Sequence, residues 1–405
     1  MKRALVAINS GSSSIKFGIY GLANSSAPEL LFSGLAEAVD ARFRFMVADA
    51  AGRHLTDSVY ASDSSLPFSH DVALGHVWRW LDSHRKQFDL VAAGHRVVHG
   101  GDQFHVPVMV NAAVLDQLER LAPLAPLHQP NNLAGIHAIA KLKPGLPQIA
   151  CFDTAFHVTQ PPVARAFALP REFSAAGIKR FGFHGLSFEY IAGVLPRYLG
   201  KRAEGKIVIA HLGSGAGMCA LLDRRSVAAT TGFSALDGLP MGTRCGAIDP
   251  GVILYLLQEK NMAVESVSEL LYRRSGLLGV SGLSRDMRVL LASADPAAAA
   301  AIELFVYRIG RELGSLAAAL GGLDGLIFTG GIGEHSPEIR SRICAHAAWL
   351  GIRIDDATNS SGDEIISTAM SKVAVLVIPT NEEAVIASHT SRLLANHLDA
   401  QAVTT

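Results

Sequence analysis

The sequence ALVAINSGSSSIKFGIY, residues 4–20, decides the class of fold. Its apolar run at residues 4–8 predicts a buried strand, and a second strand resumes at residues 15–20 after a turn rich in Ser and Gly. The same order of strand, glycine-rich turn and strand returns at residues 206–223, KIVIAHLGSGAGMCALLD. Because a pattern that recurs half a chain later is typical of duplication, we expect two related domains that each open on a hairpin.

Helices and strands alternate through the rest of the chain, which is typical of an α/β protein. Apolar residues at helical spacing predict a long helix over residues 296–320, with Asp295 as its N-cap. Further helices are predicted at residues 111–121, 132–142 and 382–398, and further strands at residues 148–154, 325–329 and 373–378.

Composition excludes several classes of protein. The 405 residues are 49% hydrophobic and 18% charged, a globular balance with material for more than one core. Since 36 basic residues balance 36 acidic ones, we expect neither a nucleic acid nor a membrane as partner. The four cysteines lack CxxC spacing, which favours a reducing compartment. The sequence shows no signal-peptide pattern and no apolar run of the roughly 18 residues that a membrane span needs, so we expect a cytoplasmic protein.

Three glycine-rich turns, at residues 9–14, 213–217 and 330–333, indicate anion binding. Backbone N–H groups, hydroxyls and the nearby ammonium of Lys16 together make a cradle for phosphate. The third turn stands before Pro337 and a predicted helix, where backbone amides favour phosphate. None of them has the G-x-x-x-x-G-K-[ST] or the full G-x-G-x-x-G spacing, which disfavours a P-loop and an NAD site. One such turn alone is explained by ordinary turn chemistry, but three favour phosphate binding.

Two arginines and a histidine lie in glycine-flanked stretches. The guanidinium forks of Arg96 and Arg244 suit carboxylate and phosphate oxygens, with a structural salt bridge as the alternative for each. His184 lies in an aromatic, glycine-lined turn, and the alternative is a satisfied core histidine. His95 and His99 have the spacing of a metal pair but no HExxH context, so we discount zinc.

Acidic residues complete the set. Asp153 ends a predicted strand without the context of an aspartyl-phosphate enzyme. Thr380 and Glu383 have the spacing of a capping box, which leaves Glu382 available as a Mg²⁺ ligand. A phosphate cradle, a metal carboxylate and cationic groups together favour phosphoryl transfer.

These stretches closely resemble the acetate kinases, in family order from one end of the chain to the other. The resemblance implies the duplicated two-domain α/β fold shared by sugar kinases, actin and the heat-shock chaperone ATPases, with an ATP cleft between the domains and a homodimeric assembly. We expect an N-terminal domain of residues 1–150 completed by residues 384–405, and a nucleotide-binding domain of residues 151–383. The matching segments are residues 9–17 (NSGSSSIKF), 94–101 (GHRVVHGG), 127–128, 152–157 (FDTAFH), 180–185 (RFGFHG), 211–215, 241–250 (MGTRCGAIDP), 281–288 (SGLSRDMR), 328–340 (FTGGIGEHSPEIR) and 379–383 (PTNEE).

The resemblance also implies an activity, the reversible ATP-dependent phosphorylation of acetate by direct in-line transfer, with ATP and ADP as co-substrates. Asn9 and Glu382 would serve the Mg²⁺–phosphate end, with Mn²⁺ as a possible substitute. Because a carboxylate is already a nucleophile, Asp153 would position substrate or metal rather than act as a base. The catalytic residues implied are Asp153, Arg96, His184 and Arg244, of which the arginines hold carboxylate and phosphoryl group and His184 stabilises the transition state.

Binding residues follow from the same resemblance. The implied substrate site consists of Arg96, Val98, Leu127, His128, Phe183 and Ala235, most of them lining a pocket for the methyl group. The implied ATP site consists of Ser12, Ser14, Lys16, His211, Leu212, Gly213, Ser214, Gly215, Asp286, Met287, Arg288, Gly331, Ile332, Gly333, Glu334 and His335.

The chain departs from the family pattern at three places. Ser214 stands where the family usually has Asn, and residues 228–231 (AATT) replace a more polar stretch. Ala235 replaces a common Pro of the acyl pocket, and room for an extra methylene is worth only ~1–3 kcal/mol of selectivity. A propionate or butyrate kinase, a pyrophosphate-using relative and a non-catalytic ATP-switch module therefore remain as alternatives.

Overall fold

The computed structural model of the chain describes residues 1–11, 14–22, 27–39, 42–61 and 70–403. Its contacts divide into two units, one formed by Met1–Ala155 with Asn381–Thr405 and the other by Phe156–Thr380. Each unit contains one sheet.

The first sheet begins with the predicted hairpin. Strands β1 (Lys2–Ser10) and β2 (Ser14–Gly21) pair antiparallel, with Ser10 opposite Ile15. Further strands extend the sheet on both sides, and the two that continue it beyond β1 run parallel to it. They are β3 (Glu29–Val39), β4 (Arg42–Asp49), β5 (His54–Ala61), β6 (Phe88–Val97), β7 (Val108–Met109) and β8 (Gln148–Phe152), in the spatial order β5-β4-β3-β2-β1-β6-β8-β7.

The second sheet repeats this plan. Three antiparallel strands, β9 (Ile207–Leu212), β10 (Ala216–Leu222) and β11 (Arg225–Ala229), are followed by the parallel strands β12 (Gly325–Thr329) and β13 (Ala374–Val377). The order β11-β10-β9-β12-β13 has the same pattern as β3-β2-β1-β6-β8 of the first unit. The shared topology confirms the predicted duplicated α/β fold.

Helices form where the sequence predicts them, with shifts at some ends. The predicted long helix has the expected bounds, and the Asp295 carboxylate accepts from the Ala297 N–H at 2.8 Å. No helix among the described residues is both long and apolar enough to cross a membrane. The helices are α1 (His70–Ser83), α2 (Ala112–Arg120), α3 (Gln129–Leu142), α4 (Pro162–Arg165), α5 (Arg171–Ala175), α6 (Gly185–Leu199), α7 (Pro250–Gln258), α8 (Val264–Arg273), α9 (Gly276–Ser281), α10 (Met287–Leu291), α11 (Pro296–Leu320), α12 (Gly330–His335), α13 (Pro337–His346), α14 (Asp356–Ser361) and α15 (Glu382–Val403), with short 3₁₀ turns at Ala122–Leu124, Ala155–Thr159, Gly200–Glu204 and Ala348–Leu350.

Two local predictions are wrong. The third glycine-rich stretch is not a turn ahead of a helix but forms the short helix α12 itself. The capping box at α15 is not made: Asn381 caps the helix by accepting from the Ala384 N–H at 2.9 Å, while the buried Thr380 hydroxyl has no partner among the described residues. Because the cap lies one residue later than predicted, Glu383 falls in the first turn with its carboxylate free for another contact.

Both sheets are buried on two faces. In the first unit α1 and α3 cover one face, where they pack with Val6 and Ile8, and α15 lies against the other face at β1 and β6. A Cβ at Gly94 would come within 2.1 Å of the Thr390 hydroxyl, so glycine allows α15 to approach β6 closely. In the second unit the residues of β9 alternate between a core with α11 and α13 and a core with α6. Such strands read as continuous apolar runs.

Candidate active site

A cluster of amide and carboxylate groups lies at the end of β1. The Asn9 side-chain amide donates to Glu382 Oε2 at 2.7 Å and to Glu383 Oε1 at 3.2 Å. The packing of α15 against β1 brings the first turn of this helix to Asn9. The structure therefore brings together the two predicted metal-site residues and adds Glu383, which sequence reasoning assigned only to a cap.

An ion pair adjoins this cluster. Arg96 donates from Nε and Nη2 to Asp153 Oδ2, at 3.0 and 2.6 Å, and from Nη1 to Asn9 Oδ1 at 3.4 Å. The neighbouring parallel strands β6 and β8 carry Arg96 and lead into Asp153, which explains their proximity. Asp153 is 1% exposed, and its Oδ1 is buried without a hydrogen-bond partner among the described residues.

The charges in this cluster strongly perturb one another. Burial raises the pKa of Glu382 more than the charge of Arg96 lowers it, and burial together with the charge of Glu382 raises the pKa of Glu383. For Arg96, burial alone would lower the pKa, but the negative charges around it, Asp153 foremost, raise it overall. Three carboxylates therefore face one guanidinium, and the cluster favours an additional cation.

A divalent cation fits this donor set. Among the residues that the structure describes, no three His, Cys, Asp or Glu side chains are grouped to hold a metal by themselves. Mg²⁺ does not need such a cage, because it commonly uses one or two carboxylates together with water and substrate phosphates. The unpartnered Asp153 Oδ1 and the carboxylate of Glu382 are hard oxygen donors of the required kind.

The other predicted residues of the first unit lie in varied positions. Ser12 is outside the described residues, while the Ser14 carbonyl accepts from the Gly11 N–H at 2.8 Å and closes the hairpin turn. Lys16 is exposed on β2, and its charge partly opposes the raised pKa of Glu382. The predicted substrate residues Val98, Leu127 and His128 are buried in the first case and partly buried in the other two.

In the second unit, His184 stands at the start of α6 in an unusual backbone conformation. Its φ of 60° and ψ of 23° lie in the left-handed region, which costs a non-glycine residue about 1–2 kcal/mol. Its imidazole stacks on His211 with ring centroids 4.5 Å apart and an interplanar angle of 17°. The Ser187 hydroxyl lies 2.8 Å from His211 Nδ1, so α6 helps to fix both rings.

Arg244 lies close to His184 at the glycine turn of β9 and β10. A Cβ built on Gly215 would lie 3.2 Å from His184 Cε1 and 3.7 Å from Arg244 Nη2, so both side chains reach this turn. The Gly242 N–H donates to the Ser214 carbonyl at 3.2 Å, and Gly213 donates to the carbonyl of Gly215 at 3.0 Å. The exposed side chain of Ser214 takes no part in these two bonds.

The predicted substrate residues of this unit are buried. Phe183 and Ala235 are 3% and 7% exposed. The carbonyl of Ala235 accepts from Arg244 Nη1 at 3.0 Å. The position that departs from the family pattern is therefore joined directly to a predicted catalytic arginine.

Helix α12 contains most of the remaining predicted ATP residues, Gly331 to His335. Glu334 accepts from the N–H groups of Gly330, at 2.8 Å, and Thr380, at 3.2 Å, so its Oε1 holds the start of the helix. Gly330 has φ of 77°, and a Cβ there would lie 2.8 Å from the Leu212 carbonyl, so glycine is required. Gly331, Ile332 and the exposed His335 leave part of the helix accessible for a ligand.

Two predicted ATP residues belong to the core, and two form a surface pair. Leu212 and Met287 are 0% and 3% exposed, so their side chains are core side chains. Asp286 caps α10, and a side-chain hydrogen bond from Arg288 lowers the pKa of its carboxyl. Arg288 lies 90% exposed beside it, where it is available to an anionic ligand.

Glycine turns, a strongly acidic cluster with one arginine, and a second arginine beside paired histidines are the groups that phosphoryl transfer requires. Together with the duplicated α/β plan they define a kinase. The acetokinase family model matches residues 4–388. Acetate kinase of Rhodopseudomonas palustris (strain ATCC BAA-98 / CGA009) is 54% identical over 397 residues, which is 97% of this chain and 99% of that protein. The chain belongs to the acetokinase family.

Further relatives and solved structures agree with this assignment. Acetate kinase of Methylocella silvestris is 50% identical over 97% of this chain and 98% of that protein. A propionate kinase from Francisella tularensis subsp. tularensis SCHU S4 superposes with a TM-score of 0.85 at 34% identity, covering 96% of this chain and 99% of that one. The acetate kinase of Porphyromonas gingivalis gives a TM-score of 0.82 at 34% identity, covering 97% and 100%.

Proposed function

We propose that the chain catalyses the reversible, ATP-dependent phosphorylation of acetate to acetyl phosphate by direct in-line transfer. The observation that carries the proposal is the approach of Arg244 and His184 to one glycine turn, next to which Arg244 also reaches the carbonyl of Ala235. This arrangement offers a guanidinium fork and an imidazole to the oxygens of a transferring phosphoryl group.

The first unit supplies the second group of charges. Asn9, Asp153 and Glu382 would hold Mg²⁺, which supplies charge neutralisation for the phosphates when it is bound. Arg96 is fixed by its two bonds to Asp153, so its remaining nitrogen, Nη1, is oriented towards Asn9 and available to a substrate oxygen. A rigid, pre-oriented cation needs no reorganisation when the transition state forms.

The nucleophile explains why no general base is needed. A carboxylate oxygen carries its own negative charge and attacks the γ-phosphorus without losing a proton. The bond from phosphorus to the β–γ bridging oxygen breaks as the new bond forms, and ADP leaves with the electron pair. Asp153, already engaged by Arg96, therefore positions other groups and does not remove a proton.

Acid selectivity is the least determined part of the function. Ala235 is a small residue at a buried position, and one methylene is worth only ~1–3 kcal/mol in such a pocket. The similarity to a solved propionate kinase is the reason to keep propionate as the second candidate. Val98, Leu127 and His128 stay predictions for substrate binding.

The assembly we propose is a homodimer in the cytoplasm, where ATP is supplied. Helix α7 supports the homodimer because it is almost wholly apolar yet has no buried residue. Val252, Leu254 and Tyr255 are 41%, 53% and 50% exposed, and such an apolar face is typical of a protein interface.

The test is acyl phosphate formation, trapped as the hydroxamate, with ATP, Mg²⁺ and formate, acetate, propionate or butyrate in parallel. We expect the highest kcat/KM with acetate, whereas a maximum with propionate would transfer the assignment to the alternative. ATP turnover that does not depend on any acid would contradict a kinase and favour a switch module.

A further inference from the structure

The peptide group that precedes His184 is held from both sides. The Phe183 N–H donates to the Thr231 hydroxyl at 3.0 Å, and the Phe183 carbonyl lies 3.0 Å from His157 Nε2. All three residues are at most 3% exposed. Both polar atoms of this peptide are therefore fixed by side chains in a place that water does not reach.

The hydrogen-bond partners of His157 define its tautomer. A carbonyl only accepts, so His157 Nε2 carries the proton and donates to Phe183. Nδ1 is then an acceptor, and the Ser226 hydroxyl at 2.9 Å donates to it while accepting from Gln160 Nε2 at 3.0 Å. This buried chain orients the ring of His157 towards the Phe183 carbonyl.

The backbone around Phe183 needs this support. His184 has φ of 60°, a conformation that persists in a non-glycine residue only where the surroundings enforce it. Gly182 has φ of 81°, and a Cβ there would lie 2.5 Å from the His157 ring. The ring of His157 therefore packs directly on the peptide that turns the chain into α6.

We propose that His157 and Thr231 are positioning residues that hold the Phe183 peptide and thereby keep the His184 imidazole in place for phosphoryl transfer. The inference rests on the proposed role of His184. Thr231 belongs to the stretch that departs from the family pattern, and His157 has the Ser226 hydroxyl behind it. Neither residue needs to touch the substrate, since each acts through the backbone next to His184.

The test compares variants that keep or remove each hydrogen bond. His157→Leu removes the donor to Phe183, whereas His157→Gln keeps an N–H near the position of Nε2. Thr231→Val removes the hydroxyl at nearly constant volume, and Thr231→Ser keeps it. We expect kcat to fall about 10- to 100-fold in His157→Leu and about 5- to 10-fold in Thr231→Val, because small misplacements of a reacting group have effects of this size.

Three readouts separate positioning from loss of folding. The dissociation constant for ADP, from calorimetry, should change less than about twofold, since nothing in these bonds reaches the nucleotide. The Gln and Ser variants should recover most of the lost kcat. Cys344→Ala, a buried control on α13, should lower the melting temperature without lowering kcat.

Two results would overturn the inference. One is a His157→Leu enzyme with wild-type kcat. The other is a pair of conservative variants that are as slow as their matched Leu and Val variants. If His157→Leu does not fold, Thr231→Val and Thr231→Ser decide. Failure of the proposed function is a separate outcome, because the wild-type chain itself would then form no acyl phosphate.

Discussion

Removal of the Arg96 guanidinium should destabilise the first unit and disable the enzyme for separable reasons. In Arg96→Met, Asp153 loses both bonds to Oδ2 while its Oδ1 already has no partner. Because Asp153 is 1% exposed, the variant contains a buried carboxylate without its cation, which costs about 3–5 kcal/mol. For a unit of this size each kcal/mol lowers the melting temperature by roughly 2–4 °C, so we expect a decrease of roughly 6–20 °C.

The double variant Arg96→Met with Asp153→Asn separates the two effects. An amide is far less costly to bury than an unpaired charge, so we expect the second change to restore more than half of the lost stability. Activity should not return, and we expect kcat to stay at least about 10²-fold below wild type, as after loss of a transition-state donor.

The assays are calorimetric melting and acyl phosphate formation, each on the single, double and wild-type proteins. A single variant that melts like wild type, or a double variant that is no more stable than the single one, would refute the reasoning about the ion pair. A double variant with near wild-type turnover would refute the catalytic role of Arg96.

Three further predictions concern the metal, the acid pocket and pH. Glu382→Gln should raise the Mg²⁺ concentration for half-maximal activity about tenfold or more, because it removes a hard anionic donor; an unchanged titration would remove this residue from the metal site. Ala235→Pro should shift the kcat/KM ratio towards acetate over propionate by about 5- to 10-fold, within the range for one methylene; an unchanged ratio would clear the position of a pocket role. Burial lowers the pKa of His95 and His99 to about 4, so each ring stays neutral in the fold while it titrates near 6.5 in the unfolded chain. Stability is therefore lost as pH falls from 6.5 towards 4, by about 2 kcal/mol per histidine at pH 5. In urea unfolding at pH 7 and pH 5, His95→Gln should lose less stability than wild type by about this amount, and equal losses would contradict the burial argument.

Local sequence determines much of the fold. Helix α11 has its predicted bounds because Asp295, Pro296 and Gly321 mark both ends in the sequence itself. Strand β12 is likewise predicted to the residue, since it is buried on both faces and reads as an apolar run between glycines. The cap of α15 could not be read in this way. Thr380 and Asn381 are both competent caps, and the choice between them depends on a tertiary contact of Glu383 with Asn9.

The residues of the site could be identified singly but not as an arrangement. Sequence motifs identify Asn9, Arg96, Asp153 and Glu382 as functional candidates. That Asn9 bonds to a residue 373 positions away depends on the packing of α15, which no spacing rule reveals. His157 shows the same limit. It lies in the matched segment FDTAFH, but its partner is a backbone carbonyl, which has no signature in sequence.

The most direct test of phosphoryl transfer to the carboxylate is ³¹P NMR of acetyl phosphate made from ¹⁸O-labelled acetate and unlabelled ATP. If a carboxylate oxygen attacks phosphorus, that oxygen becomes the bridge between the acyl carbon and phosphorus. We therefore predict an isotope shift of the acetyl phosphate phosphorus signal that corresponds to one ¹⁸O. A signal without any isotope shift would show that the bridging oxygen comes from the nucleotide, and it would contradict direct transfer to the acid.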